Sequence, residues 1–162
     1  MRSVEETHPC PGLSVPVVTV LDEAGAVAEA DQRALVRFVI QDGSGADVVF
    51  AAGTTGEWDR VTNPVRQRVV QICAEEVAKQ NARREPRAGR AVEAWAGVTA
   101  PTPRETLENL DFAIFAGPDA AVLAPLSIQG IEDPVRFVCR DVADLLDVCE
   151  RRIPVYLYDN AD

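Results

Sequence analysis

The sequence predicts an α/β fold built around a parallel sheet. Short apolar runs alternate along the chain with segments in which apolar residues recur at i, i+3 and i+4, the spacing of one helix face. Within the runs, apolar residues do not alternate with polar ones, which is typical of parallel strands covered on both faces. The order β-α-β-α-β-α-β-α-β fits an open doubly wound sheet, or part of a (β/α)8 barrel, since a whole barrel needs about 250 residues.

Five apolar runs are expected to form the strands. Pro154 lies near the start of the last run, where a missing backbone N–H is tolerated. The predicted strands cover residues 15–20, 48–52, 92–98, 120–124 and 153–158.

Four amphipathic patterns between these runs predict the helices. Asn63, Thr102 and Asp133 each precede a proline, so we expect them to cap the second, third and fourth helices. Gly117 can end the third helix in a left-handed conformation. The predicted buried faces are Leu35, Phe38 and Val39; Val65, Val69, Ile72 and Cys73; Leu107, Leu110 and Ile114; and Val138, Val142, Leu145, Leu146 and Cys149.

Composition excludes several classes of protein. The chain has 162 residues with 16 basic and 26 acidic side chains, and its net charge of −10 argues against binding nucleic acid. The apolar fraction of 47% argues against disorder. No run approaches the ~18 apolar residues of a membrane helix, and the polar start has no secretory pattern. We therefore expect one cytoplasmic domain over residues 1–162, with a leader over 1–13.

The cysteines and the histidine predict no metal site. Cys73, Cys139 and Cys149 fall in helical patterns, where a thiol acts as a small apolar core filler. Cys10 and His8 lie in the leader and do not complete a ligand set. A reducing compartment is expected.

Lysine is nearly absent from this chain. Of the 16 basic residues, Lys79 is the single lysine, and any chemistry that needs a lysine amine must use it or come from outside these residues. Four arginines, Arg83, Arg84, Arg87 and Arg90, follow the second helical pattern and are expected in a solvated loop.

A glycine-bracketed turn follows the second predicted strand. In Gly53-Thr54-Thr55-Gly56-Glu57, the glycines permit a tight turn, and two hydroxyls and several backbone N–H groups can face one point. Such an arrangement suits a carboxylate or phosphate oxygen. A plain turn, in which Thr55 satisfies backbone groups, also fits the pattern, whereas the missing GxxxxGK[ST] spacing excludes a P-loop.

Tyr158 ends the fifth predicted strand. A tyrosine at the carboxyl end of a strand can relay a proton, although it can also simply hold its hydroxyl in water. Tyr156 lies on the same side of the strand, so one ring could pack while the other acts chemically.

Several of these segments resemble the dihydrodipicolinate synthase / N-acetylneuraminate lyase family. They are Val17-Val18-Thr19, Gly53-Thr54-Thr55-Gly56-Glu57, Ala96-Gly97-Val98 and Leu157-Tyr158, in the family's order and spacing. The resemblance implies an incomplete (β/α)8 TIM barrel with about five strands and four helices, ending after strand 5.

The resemblance also implies a chemistry. Family members act on a 2-oxo acid such as pyruvate through a Schiff base on a strand-6 lysine, without a cofactor, and are commonly tetramers. It assigns Thr54 and Thr55 to the substrate carboxylate and Tyr158 to proton transfer. The imine lysine is expected beyond the end of this chain, because Lys79 falls on the second helix.

The sequence departs from the family in three places. Pro125-Leu126-Ser127 stands where many members have Pro-Tyr-Tyr, Tyr158-Asp159 replaces Tyr-Asn, and Thr19-Val20 replaces Thr-Pro. A sugar-acid aldolase or lyase therefore fits at least as well as a synthase. The alternatives to an aldolase are a non-catalytic half-barrel interaction module and a complete small flavodoxin-like binding domain.

Overall fold

The structure is a computed structural model, and it describes residues 12–83, 91–149, 151 and 153–159. Cys10, His8 and most of the leader lie outside the described residues, as do Arg84, Arg87 and Arg90. The strands are β1 (Ser14–Pro16), β2 (Val48–Ala51), β3 (Glu93–Gly97), β4 (Ala120–Leu123) and β5 (Val155–Leu157). The helices are α1 (Glu29–Ile40), α2 (Asn63–Ala82), α3 (Pro103–Ala116), α4 (Pro134–Arg136) and α5 (Ala143–Val148), the last two joined by a π-helical segment, Phe137–Val142.

The five strands form one parallel sheet in sequential order, β1-β2-β3-β4-β5. Each helical segment connects a strand to its immediate neighbour, as in a (β/α)8 barrel. A doubly wound sheet instead reverses its strand order at a switch point, so the flavodoxin-like alternative is wrong. The prediction of an α/β fold with the strand order of a partial barrel is confirmed.

One face of the sheet packs against the helices and forms the core. Because successive side chains of a strand point to opposite faces, alternate residues of each strand meet the helices. The buried residues of this layer include Val17, Val49, Ala51, Ala94, Ala96, Val98, Ala121 and Leu123 from the strands and their extensions, and Val36, Ile40, Val69, Cys73, Leu110, Ile114 and Val142 from the helical segments.

The other face of the sheet, which we call the inner face, carries large aromatic side chains. Phe50, Trp95 and Tyr156 are each half-buried. The rings of Trp95 and Tyr156 stack with their centroids 4.8 Å apart, and the Trp95 indole donates to Glu93 Oε2 at 2.8 Å. Val48, Ala120 and Val122 on this face are buried. Among the described residues, the expectation that the strands are covered on both faces therefore holds for these positions, whereas the three aromatic side chains are only partly covered.

Three of the expected helix ends are confirmed. Thr102 Oγ1 accepts a hydrogen bond from the backbone N–H of Glu105, and Asp133 Oδ1 accepts one from that of Arg136. Gly117 ends α3 with a φ of +91°, a left-handed conformation that favours glycine. Local capping signals thus specify these boundaries.

Two local predictions are wrong. Asn63 is the first residue of α2, and its side-chain oxygen accepts from Arg66 rather than capping the helix. Phe38 was expected on the buried face of α1 but is 70% exposed. The buried stripe of α1 runs through Val36 and Ile40, and Phe38 lies on the opposite side of that helix.

The cysteines differ in their environments. Cys73 is buried as predicted, and burial raises the pKa of its thiol to about 12. Cys149 is half-buried, whereas Cys139 is exposed, so its assignment to the core is wrong. Cys139 lies in the π-helical segment, whose buried residues Phe137 and Val142 are five apart. The wider turn shifts the buried face away from the α-helical spacing that the prediction assumed.

Candidate functional site

A cavity of about 160 Å³ lies at the carboxyl ends of the strands. The structure brings the three predicted site residues, Thr54, Thr55 and Tyr158, together in its lining. The other lining residues are Pro16, Phe50, Ala52, Gly53, Trp58, Gly97, Thr99, Val122 and Ala124.

The turn after β2 supplies polar groups to the cavity. Thr54–Gly56 forms one 3-10 turn, in which the N–H of Gly56 donates to Gly53 O at 2.9 Å and that of Glu57 donates to Thr54 O at 3.0 Å. Among the described residues, no acceptor is hydrogen-bonded to the backbone N–H or the hydroxyl of Thr54 or Thr55. Both threonines are exposed. Two N–H groups and two hydroxyls are therefore available to an anionic ligand.

Close backbone approach shapes the floor of the cavity at Gly97. A Cβ at this position would lie 2.2 Å from the carbonyl oxygen of Ala52, which belongs to the neighbouring chain segment after β2. Ala52 itself has a φ of +54°, so the chain turns sharply between β2 and the threonine pair. Glycine is needed at position 97 because any side chain would displace that backbone.

The segment after β1 is bonded to the threonine turn on one side and to α1 on the other. Thr19 Oγ1 donates to the carbonyl of Gly56 at 2.8 Å. The fully buried Gln32 accepts from the N–H of Val20 at 2.8 Å and donates to Val18 O at 3.1 Å. The segment after β1 is thereby held against both α1 and the turn.

Arg66 organises the loop between the threonine turn and α2. Its guanidinium is buried and donates to Trp58 O at 2.6 Å, to Val61 O at 2.5 Å and to Asn63 Oδ1 at 2.9 Å. Burial lowers the pKa of Arg66 from its usual value. Trp58 lines the cavity, so this loop forms one of its walls.

Tyr158 lies at the rim of the cavity. Its backbone N–H donates to Leu123 O at 2.8 Å, which extends the pairing of β5 with β4 by one residue. The side chain is 47% exposed. The backbone of Tyr158 is therefore fixed at the end of the sheet, while its side chain remains partly open to solvent.

Sequence reasoning missed Trp58 and Thr99 as cavity residues. Thr99 is buried, and its hydroxyl accepts from the N–H of Ala124 at 2.9 Å. It lies two residues after Gly97 and so on the same side of the chain, a period-2 signal that could have found it. Trp58 follows the glycine-bracketed turn directly, but nothing local indicates that its loop folds over the strand ends.

Of the inner-face aromatic residues, Phe50 lines the cavity, while Trp95 and Tyr156 stack on each other. Burial, together with the charge of Glu93, raises the pKa of Tyr156. Tyr156 thus stays neutral at ordinary pH and packs against Trp95. Tyr158, directly after β5, lines the cavity, whereas Tyr156 within β5 packs on Trp95.

Comparisons with known proteins agree with this architecture. The sequence model of the Dihydrodipicolinate synthetase family matches residues 9–82. A 4-hydroxy-tetrahydrodipicolinate synthase from Methanothermobacter thermautotrophicus is 32% identical over 112 residues, which cover 69% of this chain and 35% of the relative. This chain matches the N-terminal part of the dihydrodipicolinate synthase family.

Solved members of the family share the fold. A dihydrodipicolinate synthase from Agrobacterium tumefaciens superposes with a TM-score of 0.71 at 27% identity, covering 92% of this chain and 44% of that one. YagE, a family member from E. coli K12 solved in complex with pyruvate, also gives a TM-score of 0.71, at 23% identity, over 91% of this chain and 44% of its own. The chain spans about a third of the length of the curated relatives it matches.

The family's imine lysine has no counterpart in the cavity. Lys79 is exposed on α2, which packs on the helix side of the sheet, as the sequence predicted. After β4, where many members carry two tyrosines, Pro125–Ser127 forms a short 3-10 turn with Leu126 63% exposed.

The described parts of the chain contain no helix that is long and apolar enough to cross a membrane. They also contain no group of three or more histidine, cysteine, aspartate or glutamate side chains able to hold a metal ion.

Proposed function

We propose that this chain forms the N-terminal part of a lyase or aldolase that acts on a small 2-oxo acid through a Schiff base. The observation that carries the proposal is the shared cavity of Thr54, Thr55 and Tyr158. Barrel enzymes build their active sites at the carboxyl ends of the strands, and this cavity lies at that end.

Thr54 and Thr55 bind the substrate carboxylate in this proposal. Their backbone N–H groups and hydroxyls have no protein acceptor among the described residues, and both side chains border the cavity. Hydrogen bonds to a charged acceptor are stronger than those between neutral groups. A carboxylate is therefore favoured over a neutral ligand of similar size.

Tyr158 moves the proton in the carbon–carbon bond step. Its side chain stands across the same cavity from the threonine turn and is open to the ligand side. A positioned hydroxyl can give and take a proton without leaving its place.

The Schiff-base lysine lies outside these 162 residues. Lys79 is on the outer layer, and imine formation needs an amine whose pKa is lowered by desolvation or a neighbouring cation. Because a barrel of about 250 residues gives each strand–helix unit about 30 residues, a strand-6 lysine is expected about 30 residues after Tyr158.

The substrate class follows the relatives, with one difference. Several matched relatives are named 4-hydroxy-tetrahydrodipicolinate synthases, and two are named DapA-like lyases. Leu126 and Ser127 replace the tyrosines of the synthases, which favours a lyase or aldolase with a different aldehyde partner. A homotetrameric assembly remains a prediction from the family.

A non-catalytic half-barrel module is the second candidate. The observation that favours it is the half-buried aromatic inner face, which offers a surface to another polypeptide. A module of this kind has no need to bind a 2-oxo acid, so ligand binding separates the two proposals.

Pyruvate binding and borohydride trapping test the aldolase proposal. We expect pyruvate to bind the chain and Thr55→Val to weaken that binding by about tenfold, the worth of a hydrogen bond to a charged group. Thr62→Val is the matched control, because Thr62 is exposed on the same loop and its side chain makes no capping hydrogen bond. Binding is followed by ligand-observed NMR.

Borohydride should trap no imine on this chain. The reduced sample is digested and analysed by mass spectrometry. An adduct on Lys79, or equal pyruvate binding by the Thr55→Val and Thr62→Val variants, would contradict the proposed mechanism. No pyruvate binding by the parent chain favours the non-catalytic module.

A further inference from the structure

Arg66 is a buried cation that the proposed chemistry does not use. The residue is 3% exposed, and none of the ion pairs among the described residues includes it. Burying a guanidinium without a carboxylate partner is costly unless neutral acceptors satisfy its donors. The hydrogen bonds of the Arg66 guanidinium must therefore offset the cost of its burial.

The acceptors of Arg66 come from the short loop before α2 and from the first residue of that helix. Nη1 donates to the carbonyls of both Trp58 and Val61, while Nε and Nη2 donate to Asn63 Oδ1 at 3.2 and 2.9 Å. A planar guanidinium has a rigid donor geometry, so several acceptors bound at once hold the loop in one conformation. The loop over residues 58–62 is thereby tied to the first turn of α2.

This loop reaches the cavity at its first residue. Trp58 lines the cavity together with Thr54 and Thr55, and it follows the threonine turn after one intervening residue, Glu57. Its carbonyl is the acceptor that Arg66 holds at 2.6 Å. Displacement of this carbonyl would move the tryptophan and the end of the threonine turn together.

We propose that Arg66 is a positioning residue for the 2-oxo acid site, acting through the backbone of Trp58 to set the cavity wall beside Thr54 and Thr55. The inference rests on the proposed function, since the ligand that benefits is the 2-oxo acid. Small misplacements of a binding group lower the productive fraction of complexes steeply. Arg66 thus acts on ligand affinity without touching the ligand.

Tryptophan fluorescence tests the inference directly. The chain has two tryptophans, so Trp95→Phe leaves Trp58 as the sole reporter, and the measurement works at low protein concentration. In this background we compare Arg66→Met, Arg66→Lys and the control Arg104→Met. Arg104 lies on α3 with 84% of its side chain exposed.

We expect Arg66→Met to raise the acrylamide quenching of Trp58 and to weaken pyruvate binding by about tenfold, as when the displaced threonine turn loses one hydrogen bond to the charged ligand. Arg66→Lys keeps the charge but loses the fork geometry, and should fall between Arg66→Met and the parent. Arg104→Met should match the parent in both measurements. Thr55→Val should weaken pyruvate binding and leave the quenching of Trp58 unchanged.

The outcomes separate this inference from the proposed function. If pyruvate fails to bind the parent, the proposed function is wrong, and the inferred role toward the 2-oxo acid falls with it. If pyruvate binds the parent but the Arg66→Met variant keeps parental affinity, the role of Arg66 is overturned and the proposed function stands. If circular dichroism shows that Arg66→Met is unfolded, Arg66→Lys decides by the same two measurements.

Discussion

At the scale of single residues, the site depends on a few polar groups placed by the backbone. Among the described residues, no acceptor is bonded to the N–H groups and hydroxyls of Thr54 and Thr55, and Tyr158 lines the same cavity. Thr19 and Arg66 do not line the cavity, yet each holds a backbone carbonyl of the turn or loop that does. Ligand binding and local geometry are thus assigned to different residues.

The role of Tyr158 leads to a prediction for a completed barrel. When the C-terminal half of a family member is fused to this chain, an imine should form on the strand-6 lysine. Tyr158→Phe should then lower turnover by about 10²–10⁴, the usual contribution of a positioned acid or base. Steady-state kinetics measures the loss, and borohydride trapping measures the imine.

The matched control for this substitution is Tyr156→Phe, because Tyr156 packs on Trp95 and is not among the described residues that line the cavity. Its turnover should stay close to that of the parent fusion. Full turnover with phenylalanine at position 158 would remove the proton-transfer role from Tyr158.

At the scale of elements, a buried carboxylate joins α1 to α2. The Glu76 side chain is fully buried and accepts from Arg37 at 3.1 Å and from Gln80 at 2.7 Å, with Arg33 at 3.7 Å. Burial opposes ionisation of Glu76. The hydrogen bonds from Arg37 and Gln80, with the charges of Arg37 and Lys79, outweigh it and lower the pKa of Glu76.

Glu76→Gln should lower the free energy of unfolding by about 1.5–3 kcal/mol at neutral pH, the range for hydrogen bonds to charged groups. A carboxylate with a lowered folded pKa stabilises the fold above its unfolded pKa. That stability is lost as pH falls below about 4.5 and through the folded value. Urea unfolding at several pH values should therefore show a shallower acid dependence in the variant.

Glu75→Gln is the control for this experiment. Glu75 also pairs with Arg33, but its side chain is 42% exposed. Exposed ion pairs contribute about 0–1 kcal/mol, so the control should lose less stability than Glu76→Gln. An equal loss of unfolding free energy in both variants would show that burial of Glu76 does not account for its contribution to stability.

At the scale of the whole molecule, the sheet has two open edges. Among the described residues, β1 pairs with β2 alone and β5 pairs with β4 alone. Leu157 on β5 is 58% exposed, and the inner face carries the half-buried rings of Trp95 and Tyr156. Exposed strand edges and apolar faces promote association between chains.

The 162-residue chain should therefore self-associate as its concentration rises. Light scattering coupled to size-exclusion chromatography measures the association, and a dye that binds apolar surface should fluoresce with the dilute chain. A monomer at all concentrations with a cooperative thermal transition would contradict the open inner face and the exposed edges as sites of association.

Much of the fold could be predicted because its signals are local. Thr102 and Asp133 cap helices through side chains that reach only three residues along the chain. The strand ends followed from apolar runs, and these placed Thr54, Thr55 and Tyr158 at one edge of a parallel sheet before their contacts were known. The sequence by itself therefore determined the element order and the edge of the sheet at which these three residues lie.

Only the tertiary structure decided which residues that lie far apart in the sequence contact one another. The exposure of Phe38, the acceptors of Arg66 and the contact of Gly97 with Ala52 depend on how separate segments approach one another. A periodic pattern specifies a face of a helix, but several nearby faces satisfy it almost equally. Packing selects among them, because buried polar groups must find partners and backbones must fit without overlap.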